Sequence, residues 1–490
     1  MRTAVMCGCF FALMTAGAPA AQKTDAAAKA WHILARTDIE AAYALLEDNH
    51  PAAVPTVGDT LFVSTLRTAH ARALARVPTV ANYEGYIATM SEFANAMGDG
   101  HIWSNSTFLP RDVRWAGIIA AKRGNDWVVG NDDPVIVGRE LTGARIASCD
   151  GEPITERARA VMPFHVSTGD PGFEVVRAGW ILIDDGNPFV KKPASCTFER
   201  HGRTLMLTLN WKKIGLSKLL DSEWKHAYGQ AGFGVREVGA GYWIAIQSLD
   251  HKAQAVIDAA AAQTTRLRKA AYVVVDLRGN GGGDDAYGRA LAEVLYGRDY
   301  VAAILGPKED QGGCVEAFRA SNGNIEALTQ SAQELGAEGD RSAAKEYTEA
   351  VAAMKAAKAA GRVFTAPLTC TEKTVPAGSA AAAPSLMRAP VFVLTDSTCF
   401  SSCIGTVDFF RRLGAIQLGA PTGADTHYSE VREIVLPSGL STFSTLQAIE
   451  TDSPRNIGPF EPKFAYTGDI ADTAALEKWI SDTALPETGK

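Results

Sequence analysis

The spacing of apolar residues divides the chain into regions of different character. From residue 25 to about residue 97, alanine-rich runs such as Asp38 to Leu46 and Tyr83 to Met97 place apolar residues three and four positions apart, which predicts helices. Between Trp115 and Trp211 short β-type runs follow one another, and the last of them, from Thr204, alternates apolar with polar residues. A small helical domain followed by a small β-rich domain is therefore expected.

From about Gly232 the pattern alternates between strand and helix. The runs Ala271 to Val275 and Val391 to Leu394 are continuous, apolar and rich in β-branched residues, as in strands buried on both faces of a sheet. Each run is followed by a polar turn and a helical pattern. Ser331 to Ala360 is rich in Ala, Glu and Lys, which predicts a solvated helix or helical hairpin. The sequence thus predicts an α/β core with a helical insertion.

The first twenty residues have the pattern of a signal peptide. Arg2 supplies a positive charge, Val5 to Thr15 an apolar stretch, and Ala18 to Ala20 a small-residue cleavage site. An uncleaved anchor helix is the alternative, but the apolar stretch is short for a bilayer and is interrupted by Gly8. We expect a periplasmic or extracellular protein without a membrane span in the mature chain.

Charge and composition exclude several classes of protein. The chain has 490 residues, of which 47% are hydrophobic, so it can bury a large core and is not disordered. Its 48 basic and 55 acidic residues give a net charge of −7, without a long basic stretch. This argues against binding to nucleic acid.

Six of the eight cysteines remain after removal of the signal peptide. An even number outside the cytoplasm permits disulfides, and proximity in sequence suggests the pairs Cys149–Cys196 and Cys314–Cys370. Cys399 and Cys403 flank a serine-rich turn, which a third disulfide could clip. Buried free thiols remain the alternative.

Candidate chemistry follows the two buried strands. Asp276 to Gly283 contains four glycines whose backbone N–H groups can face an oxyanion, and Asp396 to Cys403 places serines at the start of a helix. A phosphate cradle is the alternative for the first segment, although it lacks the P-loop and dinucleotide-binding patterns. For the second, a serine that caps the helix is the alternative.

Together these segments resemble the carboxyl-terminal processing (tail-specific) serine peptidase family. Its motif Asp-Leu-Arg-x-Asn-x-Gly-Gly matches Asp276 to Gly283 closely. The resemblance implies that Ser401 is the nucleophile and that the N–H groups of Gly282 and Ser402 form the oxyanion hole. Asp99-Gly100-His101 is similar to the Asp-Gly-His of the branch containing tricorn core proteases and retinoid-binding proteins.

The resemblance also implies a multidomain architecture with a ClpP/crotonase-like α/β core. Gly143 to Ile154 looks like a conserved stretch of PDZ domains, and Gly458 to Lys463 is similar to the closing motif of the family. The expected regions are a signal peptide (1–20), an N-terminal helical domain (22–112), a PDZ-like domain (113–213), a peptidase core (214–300 and 389–490) and a helical insertion (301–388).

The catalytic base differs from that of the Ser/Lys branch of the family. Where that branch has lysine, this sequence has Asp425. The tricorn-like branch uses histidine, which implies His101 as the base, with His427 as the rival. Glu450 is the choice for the residue that orients the histidine, with Asp452 second.

These features predict a Ser/His(/Glu) peptidase that hydrolyses unstructured or C-terminal segments of peptides and proteins. No cofactor or metal is implied, and the oligomeric state is open. A catalytically inactive protein that binds peptides or an apolar ligand is the alternative, and hydrolysis of a non-peptide ester or amide is a third reading.

Overall fold

The computed structural model describes residues 20–108, 112–167, 171–306, 316–366, 384–451 and 453–487. The predicted signal peptide, except for Ala20, and the predicted pair Cys314–Cys370 lie outside these residues. Among the described helices, none is long and apolar enough to cross a membrane.

The N-terminal region consists of helices α1 (Ala20–Asn49), α2 (Thr60–Arg76) and α3 (Tyr83–Asn95). Asp59 and Asn82 cap α2 and α3, because their side chains accept hydrogen bonds from backbone N–H groups of the first turn. The apolar faces of the helices pack together and against Phe443 and Leu446 of the core. The helical character predicted for this region is confirmed.

The next region is rich in short strands, as the sequence predicts. The strands are β1 (Ser104–Ser106), β2 (Asp112–Trp115), β3 (Ile118–Arg123), β4 (Asp126–Asp132), β5 (Arg145–Cys149), β6 (Glu152–Pro153), β7 (Ile183–Asp184), β8 (Ser195–Arg200), β9 (Arg203–Thr208) and β10 (Lys212–Gly215). The helices are α4 (Pro134–Val137), α5 (Ile154–Val161), α6 (Pro171–Arg177), α7 (Leu216–Lys218) and α8 (Lys225–Tyr228).

Most of these strands form one antiparallel sheet in the order β3-β4-β5-β8-β9, with β6 paired to β5. A disulfide joins Cys149 of β5 to Cys196 of β8, which are partners in the register. The predicted pairing of these two cysteines is therefore confirmed, and the PDZ-like character of the sheet stays a prediction.

The rest of the chain contains the core and the insertion. Its strands are β11 (Phe233–Val238), β12 (Gly241–Ile246), β13 (Val273–Asp276), β14 (Glu316–Phe318), β15 (Val391–Thr395), β16 (Ile416–Gly419), β17 (Asp425–Thr426), β18 (Tyr428–Val435), β19 (Ser441–Glu450), β20 (Asn456–Ile457) and β21 (Phe464–Ala465). Its helices are α9 (His251–Ala262), α10 (Thr264–Leu267), α11 (Asp285–Tyr296), α12 (Arg298–Leu305), α13 (Asn322–Glu338), α14 (Arg341–Ala359), α15 (Ser402–Arg412), α16 (Thr473–Trp479) and α17 (Leu485–Glu487).

The central sheet has the order β11-β12-β13-β15-β16-β21, in which β12 to β21 are parallel and β11 is antiparallel. Every residue of β13 and β15 is buried, as predicted, because α9, α11 and α15 cover one face and α16 the other. Since β13 and β15 are parallel neighbours, the loops at their carboxyl ends meet at one edge of the sheet.

A second sheet in the core joins regions that are distant in sequence. Strand β19 pairs with β1, β14 and β18, so it connects the end of the helical region with the insertion. The insertion forms a hairpin of α13 and α14, which confirms the helical prediction. Its apolar face is buried against Phe318 and Ala448, so the hairpin is packed on the core rather than fully solvated.

Candidate active site

The loop after β13 is fixed by a buried ion pair. Asp276 and Arg278 are almost completely buried, and the guanidinium group donates to both carboxylate oxygens, at 2.9 Å from Nε to Oδ1 and 2.7 Å from Nη2 to Oδ2. Trp243 Nε1 also donates to Asp276, and Arg278 Nη1 donates to the carbonyl of Ile470. These two charged residues therefore anchor the glycine loop.

The glycine loop comes directly against the serine turn. Gly282 has φ of +107°, and a Cβ at this position would lie 2.8 Å from Cβ of Ser401 and 2.9 Å from the carbonyl oxygen of Phe400. Only glycine fits both the backbone conformation and the close approach. The N–H of Gly282 donates to Oδ1 of Asn280 at 2.9 Å, so this predicted oxyanion donor is engaged within the loop.

Asp396, the residue after β15, connects the two loops. It is buried and accepts hydrogen bonds from the backbone N–H groups of Gly279 and Thr398. Ser402 makes a second link, because its Oγ donates to the carbonyl of Gly283 at 2.7 Å. The two segments that the sequence singles out thus form one compact unit.

Ser401 occupies the N-cap position of α15 but does not act as a cap. Its φ of 57° and ψ of −134° lie outside the usual regions for a residue with a side chain, and its hydroxyl makes no capping hydrogen bond. Residues in such conformations persist where the surrounding structure holds them, and they cluster at active sites. The geometry therefore argues against the capping role that the sequence left open.

A disulfide between Cys399 and Cys403 spans this turn. The predicted clip is confirmed, and both cysteines are completely buried. Ser401 lies midway between the two bridged residues.

His101 reaches the same turn from the end of the helical region. Its ring centroid lies 4.5 Å from that of Phe400, the residue before Ser401. Its backbone is held on β19, because the Oγ of Ser444 donates to the carbonyl of His101 and accepts from the N–H of Trp103. His101 thus lies against the turn that contains Ser401.

Two carboxylates surround Nδ1 of His101. Asp425 Oδ1 lies 3.2 Å from Nδ1 and Asp99 Oδ1 lies 3.5 Å from it. Thr426 holds the second carboxylate in place, because its Oγ1 donates to Asp99 Oδ2 at 2.7 Å. Asp425 aligns with the lysine of the Ser/Lys branch. This alignment is the sequence feature that points to a place for Asp425 in the site.

Charge and burial act in opposite directions on this cluster. Burial disfavours the imidazolium, but the charges and hydrogen bonds of Asp425 and Asp99 outweigh burial and raise the pKa of His101 to about 10. Burial opposes ionisation of Asp99 too, yet its contacts with His101 and Thr426 lower its pKa to about 2. Burial raises the pKa of Asp425. His101 is therefore held as an imidazolium at neutral pH.

Within the described part of the chain, the same three residues form a group that could bind a metal ion. Asp99, His101 and Asp425 each offer one ligand atom, and these atoms lie within 4.8 Å of one another. Imidazole and carboxylate are ligands for transition metals. The imidazolium of His101 offsets one of the two carboxylate charges of this trio.

Glu450 and His427 lie together at the far end of β18 and β19. Glu450 accepts from Oγ of Ser453 at 2.6 Å, and its N–H donates to the carbonyl of His427. Nδ1 of His427 lies 3.2 Å from the carbonyl oxygen of Ser453. The carboxylates at Nδ1 of His101 are instead Asp99 and Asp425. Asp452 lies outside the described residues.

Comparison with known proteins identifies the segment that carries this site. Residues 240–462 match the model of peptidase family S41. This segment belongs to peptidase family S41. The match confirms the resemblance to carboxyl-terminal processing peptidases. The segment is therefore part of a serine peptidase, which is a hydrolase. It contains Ser401, Gly282 and Asp425, whereas His101 comes from outside it.

Solved structures show a likeness in fold over most of the chain. The structure of mature CPAF complexed with lactacystin is 13% identical, and the alignment covers 94% of this chain and 100% of that chain with a TM-score of 0.62. A second structure of mature CPAF gives the same identity and TM-score, with coverage of 94% and 99%. These matches show a shared fold. No curated protein matches the sequence.

Proposed function

We propose that the protein is a secreted serine peptidase in which Ser401 is the nucleophile and His101 the general base. The observation that carries the proposal is that Ser401 takes the N-cap position of α15 without capping it, in a positive-φ conformation against Gly282. A serine whose side chain makes no capping hydrogen bond fits nucleophilic catalysis, because it packs against a glycine loop and follows Phe400, whose ring contacts a histidine.

The reaction follows from these positions. In the fraction of molecules in which His101 is neutral, Oγ of Ser401 attacks the peptide carbonyl carbon while its proton passes to Nε2 of His101. The imidazolium returns the proton to the leaving amine as the C–N bond breaks, which leaves an acyl-enzyme. Water then attacks the ester with the same histidine as base, and the peptide acid and free Ser401 are released.

In this proposal the N–H groups of Ser402 and Gly282 hold the oxyanion of the tetrahedral intermediate. The N–H of Gly282 exchanges Oδ1 of Asn280 for the substrate oxygen when the intermediate forms. Asp425 orients His101 and stabilises the imidazolium. Asp425 is therefore a positioning residue, and it takes the role that the sequence suggested for Glu450.

The proposed substrates are unstructured or C-terminal segments of peptides and proteins, as the family resemblance implies. A PDZ-like role for the β-rich region fits its order of elements, because the Gly143 to Ile154 motif contains β5 and the short β6 and leads into α5. Secretion is supported by the two disulfides, which persist in an oxidising compartment.

A fluorophosphonate probe tests the nucleophile. We expect the wild-type protein to be labelled and Ser401→Ala to be unlabelled and inactive on an unstructured peptide. Ser397→Ala is the matched control, because this serine lies in the same turn and its Oγ only contacts the carbonyl of Pro421. Equal labelling of wild type and Ser401→Ala would contradict the assignment, and saturable peptide binding without hydrolysis would then favour a binding protein.

A further inference from the structure

The disulfide at the serine turn connects three parts of the site. Cys399 and Cys403 are four residues apart, and Ser401 is the central residue between them. The backbone N–H of Cys403 donates to the carbonyl of Phe400, the residue that contacts His101. The covalent link therefore closes directly around the nucleophile.

The same disulfide reaches the loop that holds the base. The carbonyl of Cys399 accepts a hydrogen bond from the N–H of Gly423 at 2.9 Å. Gly423 precedes Asp425 by two residues, and Asp425 contacts Nδ1 of His101. A shift of Cys399 would thus move the loop that carries the charge beside the base.

The conformation of Ser401 makes this link consequential. A positive φ of 57° is unfavourable for a residue with a Cβ atom, so the backbone relaxes unless its neighbours hold it. Among these neighbours, the bridge between Cys399 and Cys403 is the covalent one. The N–H of Ser402, the proposed oxyanion donor, follows in the same turn and would move with Ser401.

We propose that the Cys399–Cys403 disulfide is a positioning element for catalysis and makes peptidase activity dependent on oxidation. The inference rests on the proposed function of Ser401. One thiol of a dithiol attacks one cysteine sulfur, which forms a mixed disulfide and releases the other cysteine as a thiol. The second thiol of the dithiol then attacks the mixed disulfide and releases the remaining cysteine. Two cysteine thiols and one cyclic disulfide of the reductant result, so two electrons and two protons move to the protein.

The first experiment compares two disulfides of the same chain. The oxidised full-length protein is prepared as wild type, as Cys399→Ala/Cys403→Ala, and as the control Cys149→Ala/Cys196→Ala, whose bridge joins two strands of the β-rich sheet. Circular dichroism checks folding, and kcat and KM are measured on one unstructured peptide.

We expect kcat of the Cys399→Ala/Cys403→Ala variant to fall by roughly 100-fold, because a small misplacement of reacting groups costs about this much. KM should change little, and the Cys149→Ala/Cys196→Ala control should keep its kcat. An unchanged kcat in the folded Cys399→Ala/Cys403→Ala variant would overturn the proposal.

Reduction of the unsubstituted protein gives the same comparison without a change of sequence. Dithiothreitol should lower the rate of fluorophosphonate labelling in step with the appearance of thiols at Cys399 and Cys403, measured by alkylation and mass spectrometry. Reoxidation should restore the rate. Full labelling of a chain with both thiols free would overturn the proposal, whereas an oxidised wild type that never labels would overturn the proposed nucleophile as well.

Discussion

Substitution of Asp425 by asparagine tests how the base is controlled. The charges of Asp425 and Asp99 raise the pKa of His101 to about 10 against the opposing effect of burial. At pH 7 a base with this pKa is neutral in about one molecule in a thousand. We therefore expect kcat/KM of the wild type to rise with pH until His101 loses its proton near pH 10.

The size of the shift follows from the contact between the two side chains. Asp425 Oδ1 lies 3.2 Å from Nδ1 of His101, and both side chains are about 11% exposed. Loss of an opposite charge at this distance lowers the pKa of a base by about 1–3 units. Asp425→Asn should therefore move the acid limb of the profile of kcat/KM against pH to lower pH by that amount. This shift is expected whether or not the maximum of kcat/KM changes.

The contribution of this ion pair to stability should fall as pH rises, whereas kcat/KM should increase. The pKa of His101 is higher in the folded chain than in the unfolded chain, where it is about 6.5. The ion pair thus stabilises the fold fully below about pH 6.5, and this contribution is lost as pH rises through about 10. Asp425→Asn should therefore lower stability more at pH 6 than near pH 10, and the burial that raises the pKa of Asp425 itself reduces this loss.

The assay is kcat/KM on an unstructured peptide from pH 5 to 11, with urea unfolding in parallel. Asp408→Asn is the matched control, because this aspartate lies on α15 and its carboxylate pairs with Arg412 at the surface. An acid limb at the same pH in wild type and Asp425→Asn would refute the reasoning, as would a wild-type limb at the ordinary pKa of histidine.

Two further substitutions separate anchoring from catalysis in the glycine loop. Arg278→Ala leaves the buried carboxylate of Asp276 without its ion-pair partner, so the free energy of unfolding in urea should fall by about 3–5 kcal/mol; a loss under 1 kcal/mol would contradict the structure. Gly282→Ala should lower kcat by about 10²–10³-fold, because its Cβ would meet Ser401 and Phe400. Gly281→Ala should retain activity, since a Cβ there meets nothing within 4 Å, and equal losses in both would refute the close approach.

The sequence predicts the core well because its signals are local. Val391 to Leu394 is a continuous apolar run, and the structure makes it the buried strand β15 (Val391–Thr395), followed by α15 from Ser402. Ser401 and Gly282 belong to loops that directly follow such strands. Parallel pairing of β13 with β15 then brings the two loops together without further information.

The partner of the base could not be predicted in the same way. Asp99 is close to His101 in sequence. Asp425 is distant along the chain and reaches His101 only through tertiary packing. Glu450 was preferred from its place at the end of a strand. Strand β19 does end at Glu450, yet at this end it lies beside His427, whereas Ser444 in its interior holds the backbone of His101.

The insertion shows a second limit of sequence patterns. Its alanine-rich stretch predicts helices, which α13 and α14 confirm. The short strand β14 carries no detectable periodicity over its three residues, although it pairs with β19. A pattern needs several repeats to be recognised, whereas a three-residue strand is determined by the neighbour with which it pairs.

The position of Asp425 gives a physical reason for the change of base. In the Ser/Lys branch of the family, from which this sequence departs, the corresponding loop position supplies lysine. Here it supplies a carboxylate, which cannot act as that base but can stabilise a cation beside it. His101 provides this cation from the helical region, at 3.2 Å. In the proposed mechanism this loop thus orients the base instead of carrying it.

The two disulfides separate this local organisation from general stability. Cys149 and Cys196 are 47 residues apart, and Cys399 and Cys403 are 4 apart. Loop-closure entropy predicts that the long link stabilises the fold by about 4 kcal/mol and the short link by about 2 kcal/mol. If only removal of the Cys399–Cys403 disulfide abolishes peptidase activity, the disulfide that contributes less to the stability of the fold has the larger effect on activity. That opposite order can arise only if the short link acts on the geometry of Ser401 itself.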